Sequence, residues 1–291
     1  MNTFTVKQEY YTGNYKAVLK EVAKYNKTSD ETLLFYKTKA EIALGEFELL
    51  PEDGSSSSLT KVINNYAAFI KDHKKLANLQ KSIKDSSLYA INLLASAYFI
   101  NGDIEESLTT CIDNLDSANV PGSCELLLLA IQVALFSGEV KKASNLYSNF
   151  VSNNEEYDND NEIIINFCES YINFVLNKET TEGNFYFFED MVHTHPSYKT
   201  NLGLLNLHLQ QGHLEEASSI VDLLESEFYD LERPRFLPDL LSNKIVLGLQ
   251  KGENVDDIRV QLLELDSNHS WCKAHTDVEQ KMSVIINKYQ I

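Results

Sequence analysis

The sequence predicts an all-α protein, a solenoid of antiparallel helix pairs, on three observations. Apolar residues recur at helical spacing, strand signals are missing, and a glycine-containing turn returns at a nearly constant interval along the 291 residues. Paired helices repeating every three to four dozen residues cannot each hide an apolar face alone. Stacked neighbours can, which is the physical basis of a solenoid.

Taken in order, the turns begin with Gly13-Asn14, which follows a first helical segment. A stripe of Leu33, Tyr36, Ala40, Ala43, Leu44 and Phe47 marks the next helix, with its turn at Leu44-Gly45-Glu46. Pro51-Glu52-Asp53-Gly54 and the serine run to Ser58 predict a flexible insertion over about 51–58, which lengthens the gap to the next turn. Ile91, Leu94, Ala95 and Tyr98 form another stripe, ending at Asn101-Gly102-Asp103. Further turns stand at Ser137-Gly138-Glu139, Gln211-Gly212-His213 and Lys251-Gly252-Glu253. Gly102 and Gly138 are 36 residues apart, and Gly138 and Gly212 are 74 apart, so one turn lacking a glycine is expected near Asn177 to Glu179. The five prolines, Pro51, Pro121, Pro196, Pro234 and Pro238, are placed between helices or at their starts, where a missing N–H does least harm.

Residue sizes around these turns match the tetratricopeptide (TPR) pattern, which implies a right-handed superhelix over residues 1–291. Two close-packed helices need a small residue where their backbones cross. Five residues after the turn glycine stand Ser107, Ala143 and Ala217. In the same register, the first helix of each pair lines the concave face. Its inward residues before Gly102 are Tyr89, Asn92, Ser96, Phe99 and Ile100, and before Gly138 they are Glu125, Leu128, Gln132, Leu135 and Phe136. This lining of apolar anchors with a few hydrogen-bonding groups fits an extended or helical segment of another protein. It lacks the Lys and Arg that would clamp a C-terminal carboxylate.

Composition narrows the partners. A net charge of -18 repels phosphate backbones and anionic headgroups, so no nucleic acid and no direct membrane contact are expected. The longest apolar stretch, Leu126 to Phe136, is about half of the roughly 20 residues a membrane-spanning helix needs. Residues Met1 to Tyr11 do not form a secretory signal. Cys111, Cys124, Cys168 and Cys272 are scattered in apolar runs without CxxC spacing, and are expected as buried reduced thiols of a cytosolic protein.

Catalytic and metal constellations fail on spacing, so no enzyme activity, cofactor or metal is expected. His193, His195, His208 and His213 have no completing ligand at zinc spacing. The acidic run Asp158 to Glu162 lacks the glycine of a calcium loop, Ile163 standing there instead, and is expected as a solvated loop. Asp256-Asp257 lacks the third aspartate of a prenyl-transfer motif. Phe185-Tyr186-Phe187-Phe188 is expected to pack between helices.

Several segments resemble the coatomer epsilon-subunit family of budding yeasts. They are KQEYYTGNYKAVLKE from Lys7, ETLLFYKTKAEIALGEF from Glu31, ELLLLAIQVALF from Glu125, NFYFF from Asn184, and KTNLGLLNLHLQQGHLEEASSIVDLLES from Lys199. They occur in order from end to end. The resemblance implies a non-catalytic subunit of the COPI vesicle coat that binds and stabilises the C-terminal domain of the alpha subunit, and through it joins the rest of the coat. It further implies a place in Golgi-to-ER and intra-Golgi transport, with the chain cytoplasmic and peripheral on Golgi membranes and coated vesicles. The residues alone leave a second reading open, a soluble TPR adaptor with transient peptide clients.

Overall fold

In the computed structural model, described over residues 3–25, 30–52, 57–83, 87–154, 159–177 and 181–289, α-helices dominate and no strand occurs among the described residues. The chain divides into two compact units, 1–184 and 185–291.

Unit 1 opens with α1 (Phe4–Thr12) and α2 (Tyr15–Val22), joined at Gly13. Next come α3 (Glu31–Leu44), α4 (Ser58–Lys71) and the short α5 (Leu76–Ser82). The pairs α6 (Leu88–Asn101) with α7 (Ile104–Asp113) and α8 (Ser123–Phe136) with α9 (Val140–Asn153) pack in succession, followed by α10 (Glu162–Leu176). Residues 53–56 of the expected insertion lie outside the described residues. Ser57 and Ser58 belong to α4 instead, Ser57 capping it by accepting the Leu59 N–H.

Unit boundaries fall within α11 (Thr181–Thr194). Unit 2 continues with α12 (Tyr198–Gln211), α13 (Leu214–Glu225), α14 (Arg233–Lys251), α15 (Asp256–Leu265) and α16 (Ser270–Tyr289). Ser197 and Thr200 form a reciprocal capping box that starts α12.

The turn glycines end helices because only a left-handed residue turns the chain there. Gly102, Gly138, Gly212 and Gly252 have φ of 93°, 80°, 74° and 75°. The turn expected without a glycine is made by Asn177, at φ 45°, asparagine being among the few residues besides glycine that visit this region. The crossing residues Ser107, Ala143 and Ala217 are all fully buried, and the Ser107 hydroxyl donates to the Ala95 carbonyl at 2.7 Å across the pair. Gly203 meets the same need: a Cβ there would stand 2.2 Å from the Phe188 ring.

Two expectations are corrected. Pro238 lies inside α14 rather than at a helix start, because the helix begins at Arg233 with Pro234 in its first turn. The acidic run before α10 is only partly solvated over its described part, Asn159 and Glu162 being exposed. Asp160 accepts both the N–H and the hydroxyl of Thr3 at 2.7 Å, and Asn161 is buried. Its first residue, Asp158, lies outside the described residues.

Candidate functional site

The concave lining expected from register is shared between interior and surface. Tyr89, Asn92, Glu125 and Leu128 are buried in unit 1. Ser96, Phe99 and Leu135 are half-buried, and Ile100, Gln132 and Phe136 are exposed.

The buried members are occupied by their own chain. Tyr89 lies 4.6 Å from the Phe35 ring and donates its hydroxyl to Thr32 at 3.0 Å. The Asn92 amide donates to the Glu125 carbonyl at 3.0 Å. Glu125, only 3% exposed, accepts from the Tyr36 hydroxyl at 2.6 Å and pairs with Lys7 of α1 at 3.0 Å. Lys7 is itself 5% exposed and donates a second bond to Asn161 at 2.5 Å. Helix α1 therefore returns against the Asn159–Asn161 turn and α10, where Tyr11 also meets Phe167, with ring centres 6.2 Å apart. A closed layer of hydroxyls, an ammonium and a carboxylate fills this interior. Burial and the Glu125 carboxylate push the Tyr36 and Tyr11 hydroxyls well above their ordinary range, so both stay protonated donors.

Sequence reasoning placed Glu125 on the lining but missed its cation. The signal was a lone carboxylate in the run Cys124 to Leu129, since a buried charge without a partner is too costly to persist. Lys7 in an aromatic-rich helix was its natural complement.

The exposed members form a different feature, a rim at the C-terminal ends of α6, α8 and α10. Two residues before each turn stand Ile100, Phe136 and Val175, all exposed, with Phe136 at 59%. One residue earlier on each helix stand the half-buried Phe99, Leu135 and Phe174. Phe99 and Phe136 touch edge to face, 5.0 Å between ring centres, which joins the rim between α6 and α8. Beside it, burial pushes the Tyr171 hydroxyl up to about 12, with Gln132 opposing the shift. Ile100, Phe136 and Val175 are thus large apolar groups held in water rather than in the core.

The described residues bring together no group of three or more His, Cys, Asp or Glu in metal-binding geometry. His208 and His213 face each other at 5.7 Å, but the His208 ring is packed against Phe185. In the aromatic run, Phe188 is buried against Gly203 while Tyr186 is exposed, so only part of that run packs as expected. All four cysteines are buried thiols outside any disulfide, with burial pushing Cys111 up to about 12.

Fold and surface together define an all-helical scaffold of repeated helix pairs. The family model described as "Coatomer epsilon subunit" matches residues 2–289. The coatomer subunit epsilon of Saccharomyces cerevisiae is 42% identical over 296 aligned residues, covering 99% of each chain. The chain belongs to the coatomer epsilon-subunit family, whose members are structural subunits of a vesicle coat.

Proposed function

We propose that the chain binds and stabilises the C-terminal domain of the coatomer alpha subunit, and through it the rest of the COPI coat. In this reading it serves Golgi-to-ER and intra-Golgi transport from the cytoplasmic face of Golgi membranes, its membrane association being indirect. The helix pairs of residues 1–291 act as one array, and the partner docks on the rim of Phe99, Leu135 and Phe136, with Ser96 and Gln132 supplying hydrogen bonds. Tyr89, Asn92 and Leu128 support that rim from within. The end-to-end likeness to a coatomer subunit supports this reading. The observation that carries it is the in-register apolar rim, in which Phe136 is exposed and Phe99 and Leu135 are half-buried. A net charge of -18 accords with membrane attachment through other subunits.

Affinity purification of the tagged chain from cells tests this. The other coat subunits should co-elute in fixed proportion and survive high salt. A free chain, or substoichiometric and salt-labile clients, would support a soluble adaptor instead.

A further inference from the structure

The last helix of unit 2 buries almost nothing. Trp271 and Cys272, in the first turn of α16, join a small core with Leu241, Ile245, Val255 and Leu262. Every residue from Thr276 to Tyr289 is exposed. Six of these fourteen are large and apolar: Val278, Met282, Val284, Ile285, Ile286 and Tyr289, exposed by 43–67%. A helix of this length is marginal in water unless an apolar face is packed, so the fold alone gives these four turns little support.

Their spacing says what would cover them. Trp271, His275, Val278, Met282, Ile285 and Tyr289 alternate at intervals of four and three, the seam along which one helix packs into another. The seam is rooted in the core at Trp271 and runs outward into solvent. Along one flank, seven residues apart, stand Lys281 and Lys288. The opposite flank carries Glu279 and Ile286.

The charges discriminate between occupants. In an antiparallel pair of two copies the lysine flanks would face each other. In a parallel pair Lys281 would face Ile286, so neither arrangement gains a cross-helix ion pair. A lipid surface is disfavoured by Asp277 and Glu279 on the polar side of the helix.

We propose that α16 from Thr276 to Tyr289 is a docking helix for an amphipathic helix of a different protein, one whose apolar seam is flanked by acidic residues that pair with Lys281 and Lys288. This stands independently of the coat reading and of the unit 1 rim. Docking would supply the packed face that α16 lacks, so these turns become firmly helical as the partner binds.

The test uses the full chain and a labelled synthetic peptide carrying Leu at the seam positions and Glu on both flanks, with a twin carrying Lys on the flanks. Fluorescence anisotropy should show the Glu peptide binding about tenfold tighter than the Lys peptide, the scale expected from two partly exposed ion pairs. Met282→Asp with Ile285→Asp, both on the surface, should abolish binding with helicity elsewhere retained. Lys281→Glu with Lys288→Glu should invert the peptide preference. Failure of wild type to bind either peptide, equal affinity for the two, or binding that survives the aspartate pair overturns the proposal. So does a dimer in sedimentation velocity that the aspartate pair dissolves, which would make a second copy the occupant. Binding to phosphatidylserine vesicles that the aspartate pair removes overturns it in favour of a lipid surface.

Discussion

Lys7 and Glu125, drawn from the first helix and from α8, form a buried ion pair at 3.0 Å that fixes the N-terminal helix within unit 1. Tyr36 and Asn161 complete it, while the second Glu125 oxygen has no hydrogen-bond partner among the described residues. Removing one member of such a pair leaves a desolvated charge behind, at a cost of about 3–5 kcal/mol. Lys7→Met should therefore destabilise unit 1 strongly in urea unfolding, and hydrogen exchange should show α1 released. The double variant Lys7→Met with Glu125→Leu should recover much of the loss, because no charge is stranded. Equal stability of Lys7→Met and wild type would show that the pair does not hold the helix.

At the helix crossing of unit 2, Ala217 is fully buried among Leu205, Val221 and Leu224. Ala217→Leu forces extra methylenes into a filled site and should cost about 1–3 kcal/mol. Thermal unfolding followed by circular dichroism measures it, and an unchanged midpoint would place the crossing elsewhere.

The turn residues differ in what they tolerate. A Cβ at Gly138 would meet nothing within 4 Å, so Gly138→Ala is penalised only by its φ of 80°. That left-handed conformation should cost about 1 kcal/mol. Asn177→Gly, at the equivalent turn, should be neutral or slightly stabilising. The pair of denaturation midpoints separates backbone strain from packing.

His208 lends unit 2 an acid sensitivity. Burial lowers its pKa below the ordinary 6.5, His213 lowers it further, and Glu216 and Glu189 oppose both. The fold prefers the neutral ring, whose Nδ1 has no hydrogen-bond partner among the described residues. Its contribution is then complete above 6.5 and is lost as the pH falls through the lower folded value. Urea midpoints at pH 7.5 and 5.5 should converge in His208→Leu relative to wild type. An identical acid loss in both proteins would assign the sensitivity to other groups.

How much of this was legible in the sequence depends on the range of each interaction. Gly102, Gly138 and Ala217 announce themselves because positive φ and backbone approach each restrict the residue locally. Asn177 could be placed by counting, and its left-handed turn is the kind only asparagine or glycine makes easily. The Lys7–Glu125 pair has no local signature, since its partners meet only when the N-terminal helix returns against α10. Leu128, inward by register, is likewise buried by the chain itself, so Leu128→Glu is a stability variant, whereas Phe136 at the helix end is exposed. Pro238 was misplaced because a proline one turn into a helix sacrifices only an early hydrogen bond, which packing of Leu240 and Leu241 offsets.

The most direct test of the proposed role is gel filtration of the purified chain with the C-terminal domain of the alpha subunit. Wild type should form a stable complex that persists in high salt. Phe136→Glu combined with Phe99→Glu should elute separately from that domain, with unchanged far-UV circular dichroism. A complex formed equally well by the double glutamate variant, or none formed by wild type, would contradict the account.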